Sequence, residues 1–265
     1  MKVFRNKFSQ YVRLSEDAWT PFDDLDQRSE TFEAGEDLIV AGQDANEVFV
    51  LQAGWALRYR LLEDGRRQIV NFMLPGDVFD LQSLSDLKAD HTVTAITDCD
   101  VTVIPSRPFV KMLQESSHIA AAFWWSAVQE DSILREQIVR IGRRSARERI
   151  GHMLLELHRR YAGATGEETD ELVMPVTRAD IADALGLTPV HVSRTMSAMR
   201  RSGLIEEERG SIRLLDRERL SRLSHFDTDY LHLKKLDLLK KEMAANGKGD
   251  AAGLTQINAR EKEAP

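Results

Sequence analysis

The chain has a single cysteine, Cys99, among 265 residues. One thiol excludes an intrachain disulfide, and it also excludes a zinc or iron–sulfur site built from the cysteines of one chain. Because Cys99 lies in a β-type run, we expect a small buried hydrophobic side chain. A redox-sensing thiol is the alternative.

Long apolar runs are also missing. No segment approaches the roughly 18 consecutive apolar residues of a transmembrane helix, and the first residues, Met-Lys-Val-Phe-Arg-Asn-Lys, lack the apolar stretch of a signal peptide. Hydrophobic residues make up 42% of the chain and charged residues 30%, which is typical of a globular protein. We expect a cytoplasmic protein with no membrane partner.

Residues suited to catalysis or metal binding are sparse. His91 is the only histidine between residues 21 and 104, whereas a metal-dependent enzyme of the cupin type needs clustered histidines and carboxylates. The hydrolase motif G-x-S-x-G and the phosphate-binding motif G-x-x-x-x-G-K-[ST] are absent. We therefore expect no enzyme activity, no metal and no cofactor. A lone histidine that ligates haem in a gas sensor is an alternative without support from the spacing.

The net charge of −7 is unevenly distributed along the chain. Residues 21–104 contain 17 Asp and Glu against 6 Lys and Arg, whereas residues 134–160 contain 8 Arg against 3 Glu. Because the acidic and basic parts are separate, the overall acidity does not exclude a nucleic-acid partner for the C-terminal half.

The N-terminal half has the pattern of an antiparallel β-roll. Short β-type runs cover residues 48–51, 56–61, 69–74 and 101–104, and glycines recur between them. Gly65 marks a hairpin. After Pro105 the period changes to helical, first in a short helix over residues 106–115.

A long helix is predicted from about His118 to Ile141. Its stripe recurs at alternating spacings of four and three residues, which is typical of a coiled-coil seam. The stripe consists of Ala120, Trp124, Ala127, Asp131, Leu134, Ile138 and Ile141. Asp131 interrupts the apolar pattern, so the seam is imperfect. We interpret this helix as a dimerisation helix; packing of the stripe on the roll of the same chain is the alternative.

Residues 176–214 carry the most informative pattern, two short helices around a tight turn followed by a hairpin. Thr177 is placed to cap the first helix, and Gly186 to end it. Thr188 is a hydroxyl N-cap for the second helix. Pro189 occupies the first position of that helix, where its missing N–H costs least.

The second helix has two different faces. Val192, Met196 and Met199 form its apolar face, while the opposite face carries hydrogen-bond donors and guanidinium groups. A supported helix of this kind is what reading the major groove requires. Arg209 and Gly210 form the turn of a hairpin that makes a wing.

Two further signals divide the chain. Ser145 and Glu148 form a capping box that begins a helix over residues 146–161, and residues 163–171 are a polar Gly/Thr loop. We predict an α+β protein with five parts. They are an N-terminal segment (1–20), a β-roll sensor (21–117), a dimerisation helix (118–143), a winged helix-turn-helix (144–217) and a C-terminal extension (218–265). The extension contains an amphipathic stretch over 230–243 and a disordered end over 244–265.

This order of parts resembles the CRP/FNR superfamily of bacterial transcription regulators, in particular the FNR-like or FixK-like branch. The resemblance covers residues 21–215. The matching runs are Leu74-Pro75-Gly76-Asp77, Ser145-Ala146-Arg147-Glu148-Arg149-Ile150 and, most specifically, Thr177-Arg178-Ala179-Asp180-Ile181-Ala182 with Val192-Ser193-Arg194. The resemblance implies a homodimer that binds double-stranded DNA at an inverted-repeat operator, with RNA polymerase as a partner.

The resemblance also implies which residues contact DNA. Arg194 is the main base reader, bidentate to a guanine, and Ser193 is a second contact. Val190 stands where the FNR pattern has a glutamate, and it offers apolar contact to a thymine methyl group. The candidate DNA-binding residues are Arg178, Thr188, Pro189, Val190, His191, Ser193, Arg194, Ser197 and Arg200. Of these, Arg178, Thr188 and Arg200 are expected at phosphates, with dipole complementation as the alternative for Arg200.

The roll departs from the members that bind cyclic AMP. Where those members hold the nucleotide with a Gly-Glu pair and an Arg-Ser pair, this chain has Asp80-Leu81 and Ala89-Asp90. A carboxylate in place of the phosphate-binding arginine repels the anion, so we expect no response to cyclic AMP. The candidate effector pocket consists of Asp80, Leu81, Asp90, His91 and Trp124. A regulator that senses another small molecule, and a ligand-binding protein that acts through protein partners, are the alternatives.

Overall fold

Two four-stranded antiparallel sheets enclose one core in the N-terminal half, in a computed structural model that describes residues 2–10, 14–81, 87–167 and 169–233. The eight strands are β1 (Arg28–Phe32), β2 (Asp37–Ile39), β3 (Glu47–Ala53), β4 (Ala56–Leu61), β5 (Arg67–Met73), β6 (Val78–Phe79), β7 (Thr92–Ala95) and β8 (Cys99–Pro105). The strand orders are β1-β8-β3-β6 and β2-β7-β4-β5. This is the predicted antiparallel roll, and Gly65 forms the predicted β4–β5 turn at φ 83°.

The helices connect the roll to a small C-terminal sheet. They are α1 (Lys2–Ser9), α2 (Thr20–Asp23), α3 (Ser106–Glu115), α4 (Ser117–Arg143), α5 (Ala146–Thr165), α6 (Arg178–Leu185), α7 (Pro189–Arg201) and α8 (Arg217–Ser224). The sheet has the order β10-β11-β9 and consists of β9 (Glu171–Val173), β10 (Ile205–Glu208) and β11 (Ser211–Leu214). None of the helices in the described part of the chain is long and apolar enough to cross a membrane.

The break between α4 and α5 is local. Arg144 has extended backbone angles, and the capping box of Ser145 and Glu148 then begins α5. The predicted end of α5 at residue 161 was wrong, because the helix continues to Thr165 and ends at Gly166 in the left-handed region. At Gly163, which is helical, the Gln10 side chain packs where a Cβ would lie, so a larger residue does not fit there unless Gln10 moves. The loop predicted over residues 163–171 therefore begins only after Thr165, and it leads into β9, which begins at Glu171.

The N-terminal segment, which lies outside the resemblance, is part of the core. Phe4 and Phe8 of α1 are fully buried against Trp19, Phe22 and Phe123. The rings of Phe8 and Phe123 are 5.1 Å apart, and those of Phe4 and Phe22 are 4.8 Å apart. Because Phe123 belongs to α4, this aromatic cluster fastens the N-terminus to the long helix.

A buried ion-pair cluster joins α1, the roll and α5. The Asp77 carboxylate accepts from Lys7 of α1, and it lies 2.9 Å from Nη2 of Arg160 on α5. Although burial alone would raise the pKa of Asp77, the charges of Lys7 and Arg160 hold that pKa below its ordinary value. Gly76, at φ 88°, permits the close approach of this turn to α1, since a Cβ there would lie 2.8 Å from the Val3 carbonyl oxygen.

The C-terminal extension continues from the wing onto α5 and α4. Helix α8 packs on α5, where a Cβ at Gly151 would lie 3.0 Å from Leu220 and 3.1 Å from Ser224. A single 3₁₀ turn (Asp229–Leu231) follows. Most of the predicted amphipathic stretch over 230–243, and all of the predicted disordered end over 244–265, lie outside the described residues.

Candidate nucleic-acid interface

Local capping groups position α6 and α7 as the sequence predicted. The Thr177 hydroxyl accepts from the Asp180 N–H, and the Asp180 carboxylate accepts from the Thr177 N–H, so the pair forms a capping box. Gly186 ends α6 in the left-handed region at φ 63°. Thr188 then caps α7 by accepting from the N–H of His191 over 3.2 Å. These four positions hold the turn between the two helices.

One face of α7 is buried and the opposite face is uncovered. Val192, Met196 and Met199 are fully buried and fix the helix on the C-terminal core. Val190 is 60% exposed at the first turn, and Arg194 is exposed on the same side of the helix. Of the other candidate residues, Thr188, Pro189, His191, Ser193 and Arg200 are exposed, whereas Arg178 and Ser197 are half-buried.

The polar groups on this face differ in how far they are already engaged. The Ser193 hydroxyl donates to the Pro189 carbonyl within the helix over 2.9 Å, which leaves its oxygen lone pairs for an outside donor. No hydrogen bond or ion pair to another described residue involves the Arg194 side chain. A guanidinium with five donors therefore lies free on the exposed face, next to the apolar Val190 side chain.

Two predicted phosphate contacts are joined by a residue that sequence reasoning missed. Arg178 at the start of α6 donates to the carboxylate of Glu207 in β10. Nη1 of Arg200 lies 3.8 Å from the same carboxylate. The Glu207 side chain is only 18% exposed, so it is held between the two arginines. The acidic run Glu206-Glu207-Glu208 was visible in the sequence, but nothing in it indicated which member turns inward.

The wing has one strand more than predicted. Arg209 and Gly210 form its turn, with Gly210 at φ 80°. The third strand, β9, pairs with β11, placing Leu172 opposite Ile212. Both of these side chains are buried, so β9 attaches the wing to the C-terminal core.

Four of the five candidate pocket residues lie together. Asp80, Leu81, Asp90 and His91 line a cavity of about 500 Å³ between the roll and α4. Trp124 does not line this cavity, and its assignment to the pocket was wrong: its side chain is 71% exposed on another face of α4. The same exposure shows that Trp124 does not pack in the core either.

The cavity also contains two arginines that the sequence analysis did not place there. Arg58 donates to Glu130 of α4, and Arg60 lies 3.8 Å from Asp90. Burial and the Arg58 charge lower the pKa of His91, whose Nδ1 is 2.7 Å from Asp90. Since each arginine already has a carboxylate partner, and since Asp80 and Asp131 add further negative charge, the cavity disfavours an anionic ligand.

Two other expectations concern Cys99 and the α4 stripe. The Cys99 side chain is fully buried, and burial raises the pKa of its thiol to about 11, which agrees with a structural and unreactive residue.

On α4, Trp124 and Ile138 are 71% and 72% exposed, while Ile119, Ala122 and Ile133 are buried on the other side. Within the described residues the stripe is therefore only partly covered: Trp124, Asp131 and Ile138 are exposed, while Ala127 and Leu134 are half-buried beside the cavity that faces the roll.

Comparison with known proteins agrees with this geometry. Residues 148–223 match the profile of the Crp-like helix-turn-helix domain, and residues 29–116 match that of the cyclic nucleotide-binding domain. The chain is 35% identical to the nitrogen fixation regulation protein FixK of Bradyrhizobium diazoefficiens, over 73% of this chain and 80% of that protein. It is 33% identical to the transcriptional activator protein FnrL of Cereibacter sphaeroides, over 67% of this chain and 72% of that protein.

A solved structure shows the same likeness. The structure of FixK2 from Bradyrhizobium japonicum superposes with a TM-score of 0.69 at 30% identity, and the match covers 75% of this chain and 98% of that one.

Proposed function

Because the chain belongs to the CRP/FNR family of DNA-binding transcription regulators, we propose that two copies bind an inverted-repeat operator through their α7 helices. The observation that carries this proposal is the exposed face of α7, where the Arg194 guanidinium has no partner among the described residues and lies beside the exposed Val190. A helix of this kind, fixed by a buried opposite face and a capped N-terminus, fits the major groove.

The residues of α7 take different roles at the base edges. Arg194 donates two hydrogen bonds to the O6 and N7 atoms of a guanine. Val190 contacts a thymine methyl group, since its side chain has no hydrogen-bonding atoms. Ser193, His191 and Ser197 contact neighbouring bases or phosphates. Pro189 sets the first turn of the helix.

Phosphate contacts fix the register of the protein on the duplex. Arg178 and Arg200 leave the Glu207 carboxylate for a phosphate, and Thr188 at the N-terminus of α7 lies where backbone N–H groups favour an anion. Both kinds of contact become weaker as the salt concentration rises.

The second copy binds at the exposed part of the α4 stripe. Trp124 and Ile138 lie on this stripe with most of their apolar surface exposed, and pairing it with the same stripe of a second chain removes that surface from water. Asp131, which lies between these two residues on the stripe, pairs with Arg135 on the same helix. Reading two half-sites on one face of the duplex requires the two α7 helices to lie about 34 Å apart, one turn of DNA.

We further propose that the dimer binds DNA without cyclic AMP and acts as an activator that contacts RNA polymerase. The paired arginines and the surplus carboxylates of the cavity support the first statement. Titration with cyclic AMP up to about 1 mM, roughly the weakest affinity of interest, is expected to change neither the thermal unfolding midpoint nor the affinity for DNA.

Selection from a random double-stranded DNA library tests the proposal. We expect an inverted repeat with half-sites separated by about 10 base pairs, centre to centre. Ile138→Asp is expected to give a monomer in sedimentation and to lose the repeat, whereas Val139→Asp, one residue off the stripe and 45% exposed, keeps the dimer. A consensus without two-fold symmetry, or no enrichment of any sequence, contradicts the proposal.

A further inference from the structure

The segment that follows α8 connects the two halves of the molecule. We define the C-terminal strap as residues 225–232, which lie beyond the matched helix-turn-helix profile (residues 148–223). The strap begins at His225, which ends α8 in the left-handed region at φ 51°, and it runs through the 3₁₀ turn to His232. It lies against α4 and α5, on either side of the break at residues 144–145.

The strap is anchored on α4 by polar and apolar contacts. The amide of Gln129 donates to the carbonyl oxygen of Leu231 over 2.5 Å, and the Ser132 hydroxyl lies 2.8 Å from Nε2 of His232. The ring of Trp125 is 5.6 Å from that of His232. Leu231 itself is fully buried. These contacts lie on a different side of α4 from Trp124 and Ile138, so they leave the proposed dimer stripe open.

A second set of contacts anchors the strap on α5. The Tyr230 hydroxyl donates to the Glu156 carboxylate over 2.8 Å, and the same carboxylate accepts from Arg140 of α4. His152 of α5 is 1% exposed, with its ring 5.7 Å from that of Tyr230 and 5.0 Å from that of Phe226. One buried carboxylate thus connects the strap, α5 and α4.

We propose that Tyr230 and Leu231 are positioning residues that hold the DNA-binding half at a fixed angle to α4. Helix α8 packs on α5, and α5 carries α6 and α7, so a strap fastened to α4 restrains the hinge after Arg143. The uncovered face of α7 shows that this arrangement leaves the reading surface accessible. A fixed angle presents both α7 helices of a dimer at once, which lowers the entropy cost of binding two half-sites.

The angle can be measured without DNA. Two spin labels on one protomer, at Arg107→Cys on α3 and Arg201→Cys on α7, report one distance across the hinge. Mixing with excess unlabelled protein gives dimers in which only one protomer is labelled, so distances between protomers are suppressed. The buried Cys99, whose thiol pKa is raised to about 11, stays unlabelled. We expect a narrow distance distribution for the otherwise unmodified chain and a broad one for Leu231→Ala. Tyr230→Phe, which removes one hydroxyl, broadens it less, and the exposed control Thr228→Ala leaves it unchanged.

Binding measurements give the second readout, and this part rests on the proposed function. Leu231→Ala is expected to weaken binding to a complete inverted repeat about tenfold, within the usual range of coupling between sites, and to leave binding to a single half-site unchanged. An equal loss on both DNAs indicates general damage and overturns the proposal, as does a narrow distance distribution in both variants. If Leu231→Ala does not fold, Tyr230→Phe decides the test. If no repeat is bound at all, the proposed function fails while the distance distribution still decides the role of the strap.

Discussion

Nη2 of Arg67 lies 2.7 Å from the Asp180 carboxylate and so connects the roll to the first helix of the helix-turn-helix. Nε of the same guanidinium donates to the Asp183 carboxylate over 2.9 Å. The guanidinium carbon, Cζ, lies 5.5 Å from the centre of the Tyr59 ring. Asp180 also caps α6 through Thr177. The β4–β5 hairpin therefore holds α6 at the residue on which its N-terminus depends.

Replacing Arg67 is expected to loosen α6. In Arg67→Ala the two carboxylates lose their partner, and we expect a loss of about 1 kcal/mol, since the pair is partly exposed to solvent. Amide hydrogen exchange over residues 178–185 is expected to become faster. Arg66→Ala is the matched control, because the Arg66 side chain is 77% exposed and pairs with Asp64 of the same turn. Equal exchange rates in the two variants would show that the hairpin does not support α6.

Glu207 is expected to limit the affinity for all DNA sequences. Its carboxylate occupies Arg178 and Arg200, which must exchange it for phosphate when DNA binds. In Glu207→Gln one negative charge is removed from the interface, so we expect affinity to rise about threefold to tenfold, with a steeper dependence on salt. Titrations at several salt concentrations measure this. Glu206→Gln, whose carboxylate faces Arg213, is the control. A fall in affinity would mean that Glu207 instead orients the arginines for binding.

The buried His152 is expected to make folding sensitive to acid. Burial and the charges of Arg140 and Arg144 lower its pKa to about 2, and Arg140 donates to Nδ1, which therefore carries no proton. Below pH 6.5 the unfolded chain binds a proton at His152 that the folded chain does not, so stability falls as the pH falls.

Measurements of the free energy of unfolding at two pH values check the direction of this pH dependence. Between pH 7.5 and 5.5 His152 is expected to cost about 1.4 kcal/mol of stability, the equivalent of one pKa unit. His152→Gln keeps a neutral polar side chain and should lose that part of the pH dependence, while the remaining groups contribute equally to both proteins. Identical pH dependence in the two proteins would show that His152 titrates normally in the fold.

The N-terminal helix is expected to be required for stability. Phe8 is fully buried between Trp19 and Phe123, so Phe8→Ala leaves a cavity in the aromatic cluster. We expect a loss of about 3 to 5 kcal/mol in the free energy of unfolding. Lys2→Ala, on the exposed side of the same helix, is expected to cost almost nothing. A small loss in both variants would indicate that α1 detaches without consequence for the core.

The parts of the structure that depend on neighbouring residues were predictable. Thr177, Gly186 and Thr188 act on helix ends within three or four positions, and the Gly65 turn joins adjacent strands. The heptad stripe of α4 was readable for the same reason, since its period is a property of one helix.

Contacts between distant parts of the chain were not predictable from the same patterns. Arg67 and Asp180 are 113 positions apart, and Arg178 and Glu207 are 29 apart. Trp124 illustrates the difficulty, because its position in the sequence put it both in the candidate effector pocket and on the α4 stripe, and only its exposure distinguishes the two. Helix α1 had no pattern of its own, and the predicted amphipathic stretch that begins at residue 230 did not indicate what the strap packs on; only their burial shows that they belong to the fold.

DNA recognition by this protein is expected to depend most on Arg194, and parallel DNA selections with the unmodified protein and Arg194→Ala test this directly. We expect the unmodified protein to recover an inverted repeat with a guanine at one symmetric position of each half-site. Arg194→Ala should recover the same repeat without preference at that position, with about 1 to 3 kcal/mol of discrimination lost there. An unchanged consensus, with affinity reduced equally on all sequences, would contradict base reading by α7.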